Sequence, residues 1–233
     1  MRLGAADRLG LQGLPNQRFT ADGGWCDSEP PRLKRGRYAA CLGIRVSAPD
    51  PTIVTIGPAD EEQIAEVCEL LVRSFRELSP AWVPTVEAAR EKVIDALRPG
   101  MLSRALLIGS RVVGWVGARH DYGSVWELHP IVVDEAMRGR GFGRALVNDI
   151  ESLVRREGAL TLLLGTSDEM GRTTLADQDL FRDPIAALHN LKAMGSHPLG
   201  FWLCLGYTVV GVVPDAEGPG KPTIHLAKRV GRS

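Results

Sequence analysis

Glu127 and His129 stand two residues apart in the run Trp126-Glu127-Leu128-His129-Pro130-Ile131-Val132-Val133. A few residues on, Arg138, Arg140 and Arg144 surround Gly139, Gly141, Phe142 and Gly143. A carboxylate and an imidazole on one wall are residue types that accept and hold protons. The glycines leave the backbone bare, so successive N–H groups can converge on an anion. If a helix begins there, its dipole adds to the charge of the three arginines. The natural guest of such a nest is a pyrophosphate.

These residues need a rigid mount, and the same stretch supplies one. Leu128 to Val133 is apolar and β-branched and reads as a buried strand, while Arg144 to Arg155 carries apolar residues at helical spacing. Pro130 interrupts the strand and has no N–H to give, so the ladder should break or bulge there. A broken ladder frees the backbone of Ile131, Val132 and Val133 for an extended ligand near the nest. Simple alternation puts Glu127, His129, Ile131 and Val133 on one face and Trp126, Leu128 and Val132 on the other. Carboxylate, imidazole and free backbone are therefore expected on a single wall.

The chain has 233 residues, 44% of them hydrophobic, enough for one ordinary domain plus an appendage. Its formal net charge is zero, which gives no reason to expect nucleic acid or an anionic membrane as partner. Residues 1–51 carry eight Lys+Arg against five Asp+Glu; the remainder carries 28 − 8 = 20 against 28 − 5 = 23 and is mildly acidic. The first 51 residues lack sustained periodicity and are expected to form a weakly structured extension to a domain over 52–233. Cys26, Cys41, Cys68 and Cys204 are scattered, with neither a disulfide framework nor metal-ligand spacing, so no metal is expected. No apolar run approaches the ~18 residues of a membrane span and the N-terminus lacks a signal core, so the expected location is the cytoplasm.

Hydrophobic periodicity predicts a first strand at Thr52 to Ile56 and a helix opening at Pro58 to Glu62. A second helix follows, capped by Thr85 and running to about Leu97. Two strands, 104–108 and 112–118, precede the strand 125–134 and the helix 144–157; a fifth strand covers 160–164. Met170 to Pro184 is a polar, acidic connection longer than compact α/β units normally use. Helices over 185–194 and 199–205 and strands over 207–213 and 224–227 complete the chain. Mixed sheet pairing is implied.

Arg138-x-x-Gly141-x-Gly143 after such a strand resembles the acyl-coenzyme A signature of the GCN5-related N-acetyltransferases, and the order β-α-α-β-β-β-α-β-α-β-β is that of this family. A Rossmann reading of the glycines is disfavoured, because that fingerprint belongs to a first βαβ unit and this loop arrives after four strands. Several further blocks resemble the aminoglycoside 6'-N-acetyltransferases, particularly the enterococcal type. They are Trp126 to Pro130, Leu164-Gly165-Thr166-x-Asp168, Asp179-Leu180, Asn190-Leu191, His197-Pro198-x-x-Phe201 and Gly211-x-x-Pro214-Asp215-Ala216-x-Gly218-x-Gly220-Lys221-Pro222. The resemblance runs from about Thr52 to Val230.

It implies an α+β fold with a mixed, mostly antiparallel twisted sheet splayed at the fourth strand and flanked by helices. It also implies acetyl transfer from acetyl-coenzyme A to the 6'-amine of an aminoglycoside, and a homodimer by family habit. In that scheme Glu127 is the general base, assisted by His129, and the N–H near Ile131 polarises the thioester. Ile131, Val132, Val133, Arg138 to Arg144, Asn190 and Trp202 hold the coenzyme. Trp82, Thr85 and Glu87 lie over the acceptor, and Asp168, Glu169, Asp177 and Asp179 form an opposite acidic wall. Where the family usually writes His-Pro-Tyr-Glu-Phe-Tyr, this chain has His197-Pro198-Leu199-Gly200-Phe201-Trp202. The phenol that would reprotonate the leaving thiolate is thus an indole, which does not release its proton at neutral pH. Two alternatives stay open: a transferase of the same fold for another small amine or a protein N-terminus, and a non-catalytic acyl-coenzyme A-binding module.

Overall fold

Met101–Ile108 (β2) and Arg111–Tyr122 (β3) form a hairpin that turns at Gly109, whose φ of 64° lies in the left-handed region. Around it, a computed structural model describes residues 49–231 except 78, 80 and 81, so residues 1–48 of the expected extension lie outside the described residues. Pro51–Thr55 (β1) pairs with the outer side of β2, and Val125–Val133 (β4) with β3. Thr161–Ser167 (β5), Thr208–Val213 (β6) and Thr223–Arg229 (β7) complete one seven-stranded sheet in the order β1-β2-β3-β4-β5-β7-β6. Every neighbouring pair is antiparallel except β4 and β5, which are parallel and are connected by a helix, Phe142–Arg156 (α3). This is the expected mixed, mostly antiparallel sheet with flanking helices.

Apolar spacing decides which helix covers which face. Glu61–Phe75 (α1) buries Ile64, Val67, Leu70 and Leu71, and Val86–Asp95 (α2) buries Ala89 and Val93. Together with Trp115, Ala105 and Val132 of the sheet they form one core. On the other face α3 buries Leu146, Ile150 and Val154 against Val116, Trp126, Leu128 and Leu162. Each such side chain contributes about 1.5–3 kcal/mol by leaving water. The two helical layers thus hold β4 from both sides.

The helix ends follow the sequence signals. Thr85 accepts from the N–H of Ala88 at 3.2 Å and caps α2. The helix expected over 185–194 is shorter, Pro184–His189 (α4), because residues 192–194 pair with the preceding loop instead. The Thr174 N–H donates to the Lys192 carbonyl at 3.0 Å and the Met194 N–H to that of Arg172 at 2.7 Å, so this backbone is committed outside a helix. Leu199–Cys204 (α5) forms as expected and ends at Gly206, φ 85°.

Candidate active site

The fourth strand is divided at Pro130, whose bond to His129 is cis. Against β3 the register runs Val116↔Ile131 and then Ala118↔Leu128, so an extra residue is accommodated at His129 and Pro130. Gly117 sits opposite: a Cβ there would lie 2.8 Å from the His129 carbonyl oxygen, so only glycine lets the bulge close. On the other side β4 pairs with β5 only as far as Glu127↔Leu163, whereas β5 stays paired with β7 to Ser167. Beyond Glu127 the two parallel strands part.

The bulge corrects the expected single wall. Leu128 packs in the core under α3, and Ile131 and Val133 pack against that same core, while Val132 joins the core under α1 and α2. Side-chain alternation is therefore reset across Pro130. Glu127 and His129 face the α1 and α2 side, and Ile131 and Val133 point to the α3 side. The Asp134 N–H donates to the Val113 carbonyl at 2.9 Å, so alternation turns the polar backbone of Val132 to β3 and that of Ile131 and Val133 toward the parted strands. Of the three residues expected to offer free backbone, Val132 is committed to β3, while Ile131 and Val133 face the gap, where Arg138 Nε meets the Val133 carbonyl.

The glycine loop is anchored before it begins. Asp134 is 4% exposed; one carboxylate oxygen takes the guanidinium groups of Arg73 and Arg111 at 2.9 Å each, and the other accepts the Ala136 N–H at 3.0 Å. A 3₁₀ turn, Glu135–Met137, follows, and Arg138 donates to the Val133 carbonyl at 3.4 Å. Gly139 and Gly141 have positive φ, 73° and 85°, and no atom lies within 4 Å of where their Cβ atoms would be. Gly141 caps α3, which begins at Phe142 and has no acid in its first turn. Among the described residues Arg138, Arg140 and Arg144 pair with no carboxylate. Bare amides, a helix start and three unpaired cations fit a diphosphate.

The other side of the strand is built from side chains. Arg119, directly across from Glu127 on β3, donates from Nε at 2.7 Å and from a terminal nitrogen at 2.5 Å, both to Glu127 Oε2. His129 meets Trp82 edge to face at 5.6 Å between ring centroids, Phe75 backs Trp82 at 4.6 Å, and Lys92 Nζ lies 4.8 Å from the Trp82 centroid. Desolvation of the His129 ring by its neighbours pushes its pKa down; Glu127 opposes this, and Arg119 and Lys92 add to it. Trp82 is thus both packed and part of the wall. Ser79, three residues earlier, donates its hydroxyl to Glu169 just past β5, so this loop bridges from the β4 side to the β5 side of the gap. Burial raises the Glu169 pKa, and the nearby Glu217 carboxylate adds to the rise.

Other expected contacts resolve differently. Asp168 is 1% exposed and its oxygens accept the N–H groups of Arg172 and Thr173, at 2.5 and 2.9 Å, and the Thr173 hydroxyl at 2.6 Å. It staples a loop and presents no oxygen to an acceptor. Asp177 is exposed in a left-handed turn, its N–H bound to the Gly220 carbonyl. Asp179 lines a separate cleft of about 340 Å³ with Gln178, Arg182, Asp183 and Asn190. The Asn190 carboxamide donates to the Ala186 carbonyl at 3.0 Å. Thr85 and Glu87 are exposed at the start of α2, where the backbone N–H and Thr85 hydroxyl lower the Glu87 pKa, so both serve the helix cap. Trp202 is 4% exposed, between Phe201 at 4.9 Å and Tyr207 at 5.2 Å, which corrects its expected place beside a thiol; core packing takes the indole.

Sequence reasoning missed Arg119, Lys92, Ser79, Glu217 and Phe201. Phe201 reaches to 3.2 Å of where a Gly143 Cβ would be, and so borders the glycine loop. Arg119 had a signal in principle: it lies opposite Glu127 once β3 is continued past Ala118 to Tyr122. Among the described residues no group of three His, Cys, Asp or Glu could hold a metal, and no helix is long and apolar enough to cross a membrane.

Comparison with known proteins follows this geometry. Residues 64–173 match the acetyltransferase (GNAT) family model. A solved aminoglycoside 6'-N-acetyltransferase in complex with coenzyme A is similar at 31% identity and a TM-score of 0.71, over 78% of this chain and 98% of that one. The aminoglycoside 6'-N-acetyltransferase from Enterococcus faecium is similar at 31% identity and a TM-score of 0.69, with the same coverage. An aminoglycoside 6'-acetyltransferase type Ii is 28% identical at a TM-score of 0.58, over 78% of this chain and 99% of that one. A search of curated protein sequences finds no match.

Proposed function

This chain belongs to the GNAT family of acetyltransferases, and from that premise we propose that it transfers the acetyl group of acetyl-coenzyme A to the 6'-amine of an aminoglycoside in the cytoplasm. The observation that carries the reading is Glu127, a carboxylate at the point where β4 and β5 part, on the opposite side of the strand from the arginine-lined glycine loop. The finer substrate class is supported by likeness to the two aminoglycoside 6'-N-acetyltransferases at 31% identity.

In this reading the amides of Gly139 to Gly143 and the three arginines hold the diphosphate, and the backbone of Ile131 and Val133 lines the pantetheine arm. The Glu127 carboxylate takes a proton from the acceptor ammonium, because a protonated amine has no lone pair with which to attack. The N–H of Ile131 or Val133 meets the negative charge that develops on the acyl oxygen. The carbon–sulfur bond then breaks and the thiolate leaves. The nitrogen, now bonded to the acyl carbon, sheds its remaining extra proton to water and, with Trp202 in the core, water returns a proton to the thiolate. Expected contributions are ~10²–10⁴-fold for the base and ~10²–10³-fold for one oxyanion donor.

One observation favours a second reading, a smaller amine as acceptor. Arg119 pairs with Glu127 and Lys92 lies over Trp82, which packs on His129, so a polycation has to tolerate two cations on this wall. Thiol release from acetyl-coenzyme A, measured across aminoglycosides with and without a 6'-amine and across simple monoamines, separates the two. Turnover confined to the 6'-amine compounds is expected; faster turnover of monoamines would replace this substrate class with the second.

A further inference from the structure

The ion pair on Glu127 is one-sided. Arg119 directs both of its donors to Oε2, at 2.7 and 2.5 Å, and among the described residues no donor reaches Oε1. The guanidinium side chain is 50% exposed and the carboxylate 21%, and exposed pairs of this kind contribute little to stability. A pair that does little for the fold yet occupies half of the proposed base bears on the reaction.

We propose that Arg119 is a positioning and specificity-determining residue for the acyl transfer: it holds Glu127 by Oε2 so that Oε1 alone meets the acceptor amine, and its charge disfavours acceptors with further cations close to that amine. The proposal rests on Glu127 being the proton acceptor. The geometry follows from the strands, because register places the two residues opposite each other ahead of the bulge. A guanidinium is suited to the task, since Nε and a terminal nitrogen form a planar fork that grips the one oxygen, Oε2, from two directions and so fixes its position. Without that fork Glu127 is free to rotate about its side-chain bonds, and a misplaced base loses rate steeply. The charge acts separately from the fork. Arg119 bonds Glu127 and Lys92 lies over Trp82, which packs on His129, so both cations bear on the same wall and removing one makes it more attractive to an ammonium.

The test is steady-state thiol release by the full-length protein with acetyl-coenzyme A and kanamycin, for wild type, Arg119→Met, Arg119→Lys and Glu127→Gln. Arg119→Met is expected to lower kcat about tenfold while lowering the KM for kanamycin about threefold. Arg119→Lys restores the charge without the fork, so its KM returns to within about twofold of wild type while kcat stays low. A merely structural arginine would not divide the two parameters in this way. The proposal is overturned if both parameters of Arg119→Met stay within about twofold of wild type, if Arg119→Lys regains full kcat, or if Arg119→Met loses its fold, which would make the pair structural. Glu127→Gln keeps the two claims apart: undiminished turnover there sinks the general base itself, whereas an inactive Glu127→Gln beside unaffected Arg119 variants sinks this proposal alone.

Discussion

The two sides of β4 are made from different materials. On the α3 side the features proposed to bind the coenzyme are main-chain ones, the amides of Gly139 to Gly143 and the backbone of Ile131 and Val133, with Asp134 as a tether and Phe201 at the border. On the α1 and α2 side the wall consists of side chains from separate elements. They are Glu127 on β4, Arg119 on β3, Lys92 on α2, Trp82 and Ser79 on the connection between helices, and Glu169 past β5. A coenzyme is the same for a whole family, so a local backbone motif serves it. An acceptor differs between enzymes, and side chains on several elements can change without disturbing the nest.

This division can be broken directly. Glu127→Gln removes the proposed proton acceptor and should reduce acetyl transfer by about 10²–10⁴-fold while leaving the dissociation constant of acetyl-coenzyme A within about twofold, because its side chain lies on the other face. Parallel loss of coenzyme affinity in calorimetry would show that the faces are not independent. The reciprocal change is Gly141→Val. A β-branched residue forced to φ 85° costs about 1–2 kcal/mol, so coenzyme affinity should fall about tenfold with the acceptor KM little altered. Unchanged coenzyme binding in this variant would remove the glycine loop from the account.

The same division explains what could be read from residue order alone. The glycine loop, the strand ahead of it and the helix after it are contiguous, and periodicity with glycine spacing locates all three; Glu127, the proposed base, lies in that stretch. Alternation failed at Pro130, since a bulge resets which face a residue points to and no period reports it. Arg119 was missed because the strand expected over 112–118 stopped short of it, and its meaning depends on register with a residue eight positions on. Asp168 was misread for a different reason. An acid in a polar loop looks available for a cation, and only the fold shows its oxygens turned inward to Arg172 and Thr173. The helix over 185–194 overran for want of the bridge between Thr173 and Ala193, a contact that periodicity does not encode.

Asp134 sharpens the comparison, because it is where a side chain supports the backbone-built half. Asp134→Ala leaves Arg73 and Arg111 without their shared acceptor and the Ala136 N–H without its cap, and should cost about 2–3 kcal/mol in urea unfolding. It should also weaken coenzyme binding while sparing the acceptor side. A variant of wild-type stability would show that the loop is held by the glycines alone.

A smaller effect is expected from pH. His197, 8% exposed, receives the Leu199 N–H on Nδ1 at 3.1 Å and lies 3.2 Å by Nε2 from the Ser167 carbonyl, so the neutral ring with its proton on Nε2 satisfies both. Burial lowers its pKa from the usual 6.5, with Asp168 opposing. The unfolded chain then binds the proton first as pH falls. Stability is complete above about pH 6.5 and declines below it until the folded pKa is reached, with a slope of at most about 1.4 kcal/mol per unit for this one site. His197→Gln should flatten that part of the curve. Unfolding midpoints at several pH values on either side of 6.5 test this, and identical slopes in the two proteins would assign the acid loss to other groups.

Salt should separate the two faces by the least amount, and it does so without mutation. The acceptor wall sets Glu127, Glu169 and Glu217 against Arg119, Lys92 and Lys221, and Glu169 is pushed up by burial and by Glu217 while Lys221 opposes. Net attraction for a polycation is therefore modest and open to solvent, and screening lengths shrink from about 10 Å at 0.1 M to about 3 Å at 1 M. The KM for kanamycin should rise several-fold over that range. At the glycine loop much of the binding comes from amides that approach the phosphates directly, so the coenzyme's KM should rise less than the acceptor's. If the coenzyme proves the more salt-sensitive ligand, the arginines rather than the amides hold the diphosphate, and the contrast between a backbone-built face and a side-chain-built face fails where it was most firmly drawn.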